Sequence, residues 1–147
     1  MYCMKSYVPF AEAAAQPNQG CSQNVRMIRY ADVLLMNAEA NNESGNSAAA
    51  LISLEMVRAR ARSNATNPAT ALPPVTTTDQ GQLRTAIYHE RRVELALEFD
   101  RYFDVIRQGR AAAVFGPLGW TTKNTFWPIP QNEIDISGNK LVQNPGY

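Results

Sequence analysis

The chain has 147 residues, 45% of them hydrophobic and 18% charged, which suffices for one buried core and excludes a disordered or fibrous protein. Fourteen basic against thirteen acidic residues leave a net charge of +1, so no overall field draws nucleic acid or anionic lipid. Cys3 and Cys21 are the only cysteines and lack metal-ligand spacing, which excludes a zinc site built from them alone and leaves a disulfide open.

Met1 to Lys5 carries no secretory-signal pattern, which says nothing about export if a longer precursor continues upstream. No apolar run reaches the ~18 residues that would span a membrane. Tyr2 to Val8 mixes aromatic and β-branched residues without helical period and predicts a short extended segment ending at Pro9. Glu12 to Ala15 suits a helical turn, and Gln16 to Ser22, with Pro17 and Gly20, reads as loop.

The first helix is predicted from Asn24 or Val25 to Glu43, with Ile28, Ala31, Leu34, Leu35 and Ala38 on an apolar face that Val33 and Met36 widen. Glu39 stands out on it, and a carboxylate there calls for an arginine on a neighbouring helix. Gly45 supplies a left-handed cap and Asn46 or Ser47 starts the second helix, Ala48 to Arg62, so the two must lie antiparallel. Leu51, Leu54, Val57 and Ala61 face inward. Arg58, Arg60 and Arg62 lie on different sides and lack a Gly-rich partner loop, so ion pairing to Glu39, Glu90 or Glu94 outweighs phosphate binding.

Ser63 to Thr78 is a long, proline- and threonine-rich loop, a solvated connector whose hydroxyls offer at most a minor sugar surface. Thr77 with Gln80, or Asp79 with Gln82, caps a third helix reaching about Glu98. On it Leu83, Ala86, Ile87, Glu90, Glu94 and Leu97 share one stripe, which places two carboxylates on an apolar face. Guanidinium partners answer that cost better than chemistry does. Glu90 and Glu94 at i, i+4 could bind a metal or share acid/base work, but di-metal sites in helical bundles want a Glu-x-x-His spacing from more than one helix, and His89 faces the wrong way for that. Arg101 to Gln108 continues or restarts the helix, with Phe103, Val105 and Ile106 for packing and Asp104 and Arg107 paired at i, i+3. Arg101, Asp104 and Arg107 therefore join Glu39, Arg58, Arg60, Glu90 and Glu94 as structural ion-pair candidates. Gly109 ends this helix, Arg110 to Phe115 forms another turn, and Gly116, Pro117 and Gly119 break it.

From Trp120 the chain turns irregular. Trp120 and Trp127 stand beside polar groups, as aromatic platforms for sugars do, but Trp127 before Pro128 reads better as a clamp onto helices. Pro130 to Ile136 suits a last helical turn, and Gln143 to Tyr147 closes the chain extended.

Six blocks in order carry a family resemblance: Arg-Tyr-Ala-Asp-Val-Leu-Leu-Met-Asn-Ala-Glu-Ala at 29–40, Val-Arg-Ala-Arg-Ala at 57–61, Glu-Arg-Arg-Val-Glu-Leu-Ala at 90–96, Arg-Tyr-Phe-Asp-Val-Ile-Arg-Gln-Gly at 101–109, Pro-Ile-Pro-Gln at 128–131 and Gln-Asn-Pro-Gly-Tyr at 143–147. Together they resemble the C-terminal part of the SusD/RagB family. The chain departs from that pattern at Glu55 where Asn is common, at Arg62 where Gly is common and at Phe99 where Gly is frequent.

The resemblance implies a mainly α fold: antiparallel helix pairs of tetratricopeptide-like type, long loops and an irregular C-terminal tail. Residues 1–147 would be a single helical domain of a larger protein. That protein would be an outward-facing lipoprotein of the outer membrane that captures oligosaccharide through its other parts and passes it to a SusC-like, TonB-dependent transporter, with no cofactor and no reaction. Two other classes stand against it: a tetratricopeptide-type protein-interaction module, and an acid/base hydrolase using Glu90 and Glu94. Helices selected to pack against absent segments should leave an exposed apolar patch above about 400 Å² near the N-terminal segment or the first helix.

Overall fold

A computed structural model describes residues 5, 7–11, 24, 26–138 and 140–147. The expectations for Tyr2 to Met4, for Glu12 to Ser22 and for the pairing of Cys3 with Cys21 lie outside the described residues. The chain divides into two compact units, Met1–Phe99 and Asp100–Tyr147. The fold is mainly α, with six α-helices and no strand among the described residues, and none of these helices is long and apolar enough to cross a membrane.

The first unit is built on α1 (Tyr30–Glu43), α2 (Ser47–Ser63) and α3 (Gln80–Glu94). Gly45 takes φ +80, a conformation glycine adopts without penalty, and the chain reverses there. The Asn46 side chain then accepts from the Ala49 amide at 3.3 Å, capping α2. So short a turn makes α1 and α2 an antiparallel, tetratricopeptide-like pair. Leu35, Ala38, Ala50, Leu54, Val57, Leu83 and Ile87 form the buried core, with Ala31, Leu34, Leu51, Val75 and Ala86 packed around it.

α1 begins at Tyr30, later than the apolar pattern suggests, because Arg29 at its N-cap is extended at φ −116, ψ 153. Ile28 consequently precedes the helix and is exposed rather than part of its apolar face. At α3, the Asp79 carboxylate accepts from the Gln82 amide at 2.8 Å. The Gln82 side chain does not return to the Asp79 amide; the Thr77 hydroxyl accepts from that amide at 3.3 Å and donates to Gln82 at 2.8 Å.

α3 stops at Glu94, short of the expected Glu98. Leu97 and Phe99 lie in the left-handed region at φ 65 and φ 71, which a helix of L-residues cannot contain. Leu97 is 68% exposed, so it leaves the stripe; Leu95 is buried instead.

Between α2 and α3 the loop is fastened by two arginines of α2. Arg62 donates to the Leu72 carbonyl from Nε at 3.0 Å and Nη2 at 2.8 Å, and Arg58 donates to the Pro73 carbonyl at 2.8 Å. Leu72 itself has φ 47.

The second unit holds α4 (Arg101–Arg107), α5 (Ala111–Phe115), two 3₁₀ turns at Gly116–Leu118 and Thr122–Thr125, and α6 (Gln131–Ile136). Gly109 at φ 68 ends α4, with its own amide on the Ile106 carbonyl and the Arg110 amide on the Val105 carbonyl, both at 3.0 Å. Gly116 and Pro117 do not break α5 outright; it tightens into the 3₁₀ turn and stops at Gly119, φ 89. The closing residues are held by side chains: Gln143 accepts from the Ile129 amide and donates to its carbonyl, both at 2.8 Å, and Asn144 donates to the Trp127 carbonyl at 2.7 Å.

Candidate functional site

The polar chemistry of the first unit gathers along α3. Arg58 Nη1 lies 2.5 Å from Glu90 Oε2, and both side chains are buried. One turn on, Glu94 bridges two cations: Oε1 meets Arg29 Nη1 at 3.0 Å and Oε2 meets Arg60 Nη2 at 2.6 Å. Arg29 also grips Glu98, Nε to Oε2 at 2.7 Å and Nη2 to Oε1 at 2.8 Å. Lys5 Nζ completes the cluster, 2.6 Å from Glu98 Oε1 and 2.5 Å from the Glu94 carbonyl.

Burial alone would raise the Glu98 pKa, but the hydrogen bonds from Arg29 and Lys5 outweigh it and hold the carboxyl below its usual range. The hydrogen bond to Glu98 in turn raises Arg29 above the ordinary guanidinium value. Two further pairs lace α1 to α3. Arg91 Nη1 meets Asp32 Oδ1 at 2.9 Å, and Arg84 meets Glu43 at 2.5 Å. That bidentate bond from Arg84 is the main reason the Glu43 carboxyl titrates low.

The structure thus brings Glu90, Glu94, Arg58 and Arg60 together along one edge of α3. Arg62 does not join them: it pairs with Glu55 on its own helix at 2.7 Å and reaches the Leu72 carbonyl, because its position on α2 faces the loop. Glu39 is half-buried on α1 and Arg101 half-buried at the start of α4. Asp104 is buried and accepts from Arg107 Nε at 3.0 Å across one helical turn. His89 is exposed. Sequence reasoning missed Arg29, Glu98 and Lys5; the signal available was Arg29 standing immediately before the first apolar helix.

The aromatic candidates lie in the second unit. Tyr102 is stacked on Phe115 with centroids 5.8 Å apart, and its hydroxyl donates to the Asn124 carbonyl. Trp127 meets Tyr102 edge-on at 6.5 Å and is 72% exposed. Trp120 is half-buried, and its shielded indole N–H meets no acceptor among the described residues.

Among the described residues no group of three or more His, Cys, Asp and Glu is arranged to hold a metal ion. Antiparallel helices laced by buried and half-buried guanidinium–carboxylate pairs define a helical scaffold of tetratricopeptide-like type. The chain matches the SusD family over residues 1–119 and belongs to it. Among its relatives in Formosa agariphila, SusD-like protein P2 is 34% identical over 96% of this chain and 29% of the relative. SusD-like protein P38 is 34% identical over 84% of this chain and 25% of the relative, and SusD-like protein P25 is 36% identical over 89% and 26%. The chain therefore spans between a quarter and three tenths of the length of these curated relatives. No solved structure matches it.

Proposed function

We propose that residues 1–147 are the C-terminal helical domain of a longer, non-enzymatic protein that captures nutrient glycans at the cell surface. In this reading the whole protein is an outward-facing lipoprotein of the outer membrane and delivers its ligand to a SusC-like, TonB-dependent transporter. The family match carries the reading. The engagement of the motif carboxylates supports it, since Glu90 and Glu94 each accept from guanidinium groups of other elements. Such groups hold the helices and offer little to a sugar hydroxyl.

Glycan contacts then come mainly from the rest of the protein. A single aromatic stacking face contributes perhaps ~1 kcal/mol, against the ~8 kcal/mol that micromolar affinity requires. Calorimetric titration with starch, xylan, mucin and host-type oligosaccharides should show no heat with this chain and binding with the longer chain that contains it. Micromolar binding by this chain, abolished by Trp120→Ala, would move the site onto it. Glycoside hydrolysis lost on Glu94→Gln would favour the hydrolase instead.

A further inference from the structure

The segment that carries Lys5 meets the end of α3, and little besides charge holds it there. Of residues 7–11 only Val8 is half-buried; Tyr7, Pro9, Phe10 and Ala11 are exposed. Lys5 makes the attachment. Its Nζ donates to Glu98 Oε1 at 2.6 Å and to the Glu94 carbonyl at 2.5 Å, while its own carbonyl accepts from Arg26 Nη2 at 2.6 Å. The Glu98 amide bonds the Leu95 carbonyl, and the Glu94 carbonyl takes two cations instead, Lys5 and, at 3.1 Å, Arg29 Nη2. Positive charge is favoured at that end of a helix.

Around Glu98 the charges are unequal. Lys5 and Arg29 face it, Arg60 faces Glu94 beside it, and Arg26 holds the Lys5 carbonyl, so four cations gather round two carboxylates in the first unit. Lys5 and Arg29 share two oxygens, Glu98 Oε1 at 2.6 and 2.8 Å and the Glu94 carbonyl at 2.5 and 3.1 Å, and the ionised Glu98 offsets their mutual repulsion. Their other attachments differ. Arg29 also holds Glu94 Oε1 at 3.0 Å, whereas Lys5 meets no second carboxylate among the described residues, and its side chain is 41% exposed against 24% for Arg29.

We infer that the segment carrying Lys5 is a strap latched by Glu98: when that carboxylate loses its charge, Arg29 repels Lys5 and the strap leaves α3, while Arg29 and α1 stay seated. Burial works against the charged form of Glu98, but the hydrogen bonds from Arg29 and Lys5 outweigh it and hold the carboxyl below its ordinary 4.5. The latch is therefore closed at neutral pH and opens only as pH falls below that value. Release is local. The core is built from α1, α2 and α3, with Val75 beside it, and no described residue before Ala31 belongs to it.

A spin label at Tyr7→Cys, in a chain carrying Cys3→Ser and Cys21→Ser, reports the strap, and far-ultraviolet circular dichroism reports the helices. As pH falls from neutral towards about 3, the mobile fraction of the label should rise at least about threefold before the helix signal declines. Glu98→Gln and Lys5→Gln should each free the label at neutral pH and abolish its pH dependence, and Lys5→Arg should behave as the parent chain does. Lys5→Gln leaves every carboxylate in place, so it tests the latch even if Glu98→Gln does not fold. A label already mobile in the parent chain at neutral pH, one immobile throughout, or one freed only as the helices melt would overturn the inference. So would a label that stays immobile in Lys5→Gln, which assigns the hold to Val8 and its neighbours.

Discussion

Arg58 and Glu90 meet across the α2–α3 interface at 2.5 Å, and the second Arg58 amine holds the Pro73 carbonyl at 2.8 Å. A buried carboxylate paired in this way is costly to disturb from one side only. Glu90→Gln leaves the guanidinium underpaired and should lower stability by roughly 1–3 kcal/mol. Urea denaturation measures it, and an unchanged midpoint would show the pair to be dispensable.

Glu94 has two cationic partners of unequal weight. Arg60 is largely exposed, so Arg60→Ala should cost less than about 1 kcal/mol. Arg29→Ala should cost more, since it releases Glu94, Glu98 and the Glu94 carbonyl together. Glu94→Gln is expected at roughly 1–3 kcal/mol. A double-mutant cycle with Arg29 should show strong coupling, and one with Arg60 weak coupling.

The Glu98 carboxyl titrates below its ordinary value of 4.5 in the folded chain. A depressed carboxylate contributes stability that is present above the unfolded value and is lost as pH falls through the folded one. Stability of the first unit should therefore decline below about pH 4.5. Glu98→Gln should flatten that acid limb while lowering stability at neutral pH. An acid limb of the same slope in the variant would remove Glu98 as its source.

Phe99 is 88% exposed and left-handed at φ 71. Glycine enters that region freely, and an exposed ring has little packing to lose. Phe99→Gly should stabilise the chain by roughly 0.5–1 kcal/mol, the relief of left-handed strain less the extra freedom glycine gives the unfolded chain. A thermal melt that moves downward would mean the ring contributes contacts this exposure does not suggest.

Helices were the legible part of this sequence. The Gly45–Asn46 turn and the Asp79 cap are short-range signals, and the Leu83–Ile87–Glu90–Glu94 stripe follows from period alone. The need of Glu90 and Glu94 for arginines was legible in the same way. Their partners were harder to read: Arg58 and Arg60 were among the candidates, but Arg29 sits outside any helix and reaches Glu94 across 65 residues. The end of α3 was missed because Leu97 continues the apolar period while its backbone leaves the helix. The surroundings of Trp127 were not legible, because its contacts come from residues distant in sequence: Asn144 donates to its carbonyl and Tyr102 meets its edge.

The pinning of Leu72 and Pro73 to α2 has a consequence for how this chain can lengthen. The connector between α2 and α3 is not one long excursion but two short ones meeting at a fixed point, so a change in one half is not felt in the other. Residues 64–71 project beyond that point, whereas 74–79 run from it past the packed Val75 to the Asp79 cap. Extra residues inserted near Asn67 and Pro68 would enlarge an outer loop without shifting α3 against α2, and a protease should nick there first. Insertion after Pro74 would instead pull on the helix cap.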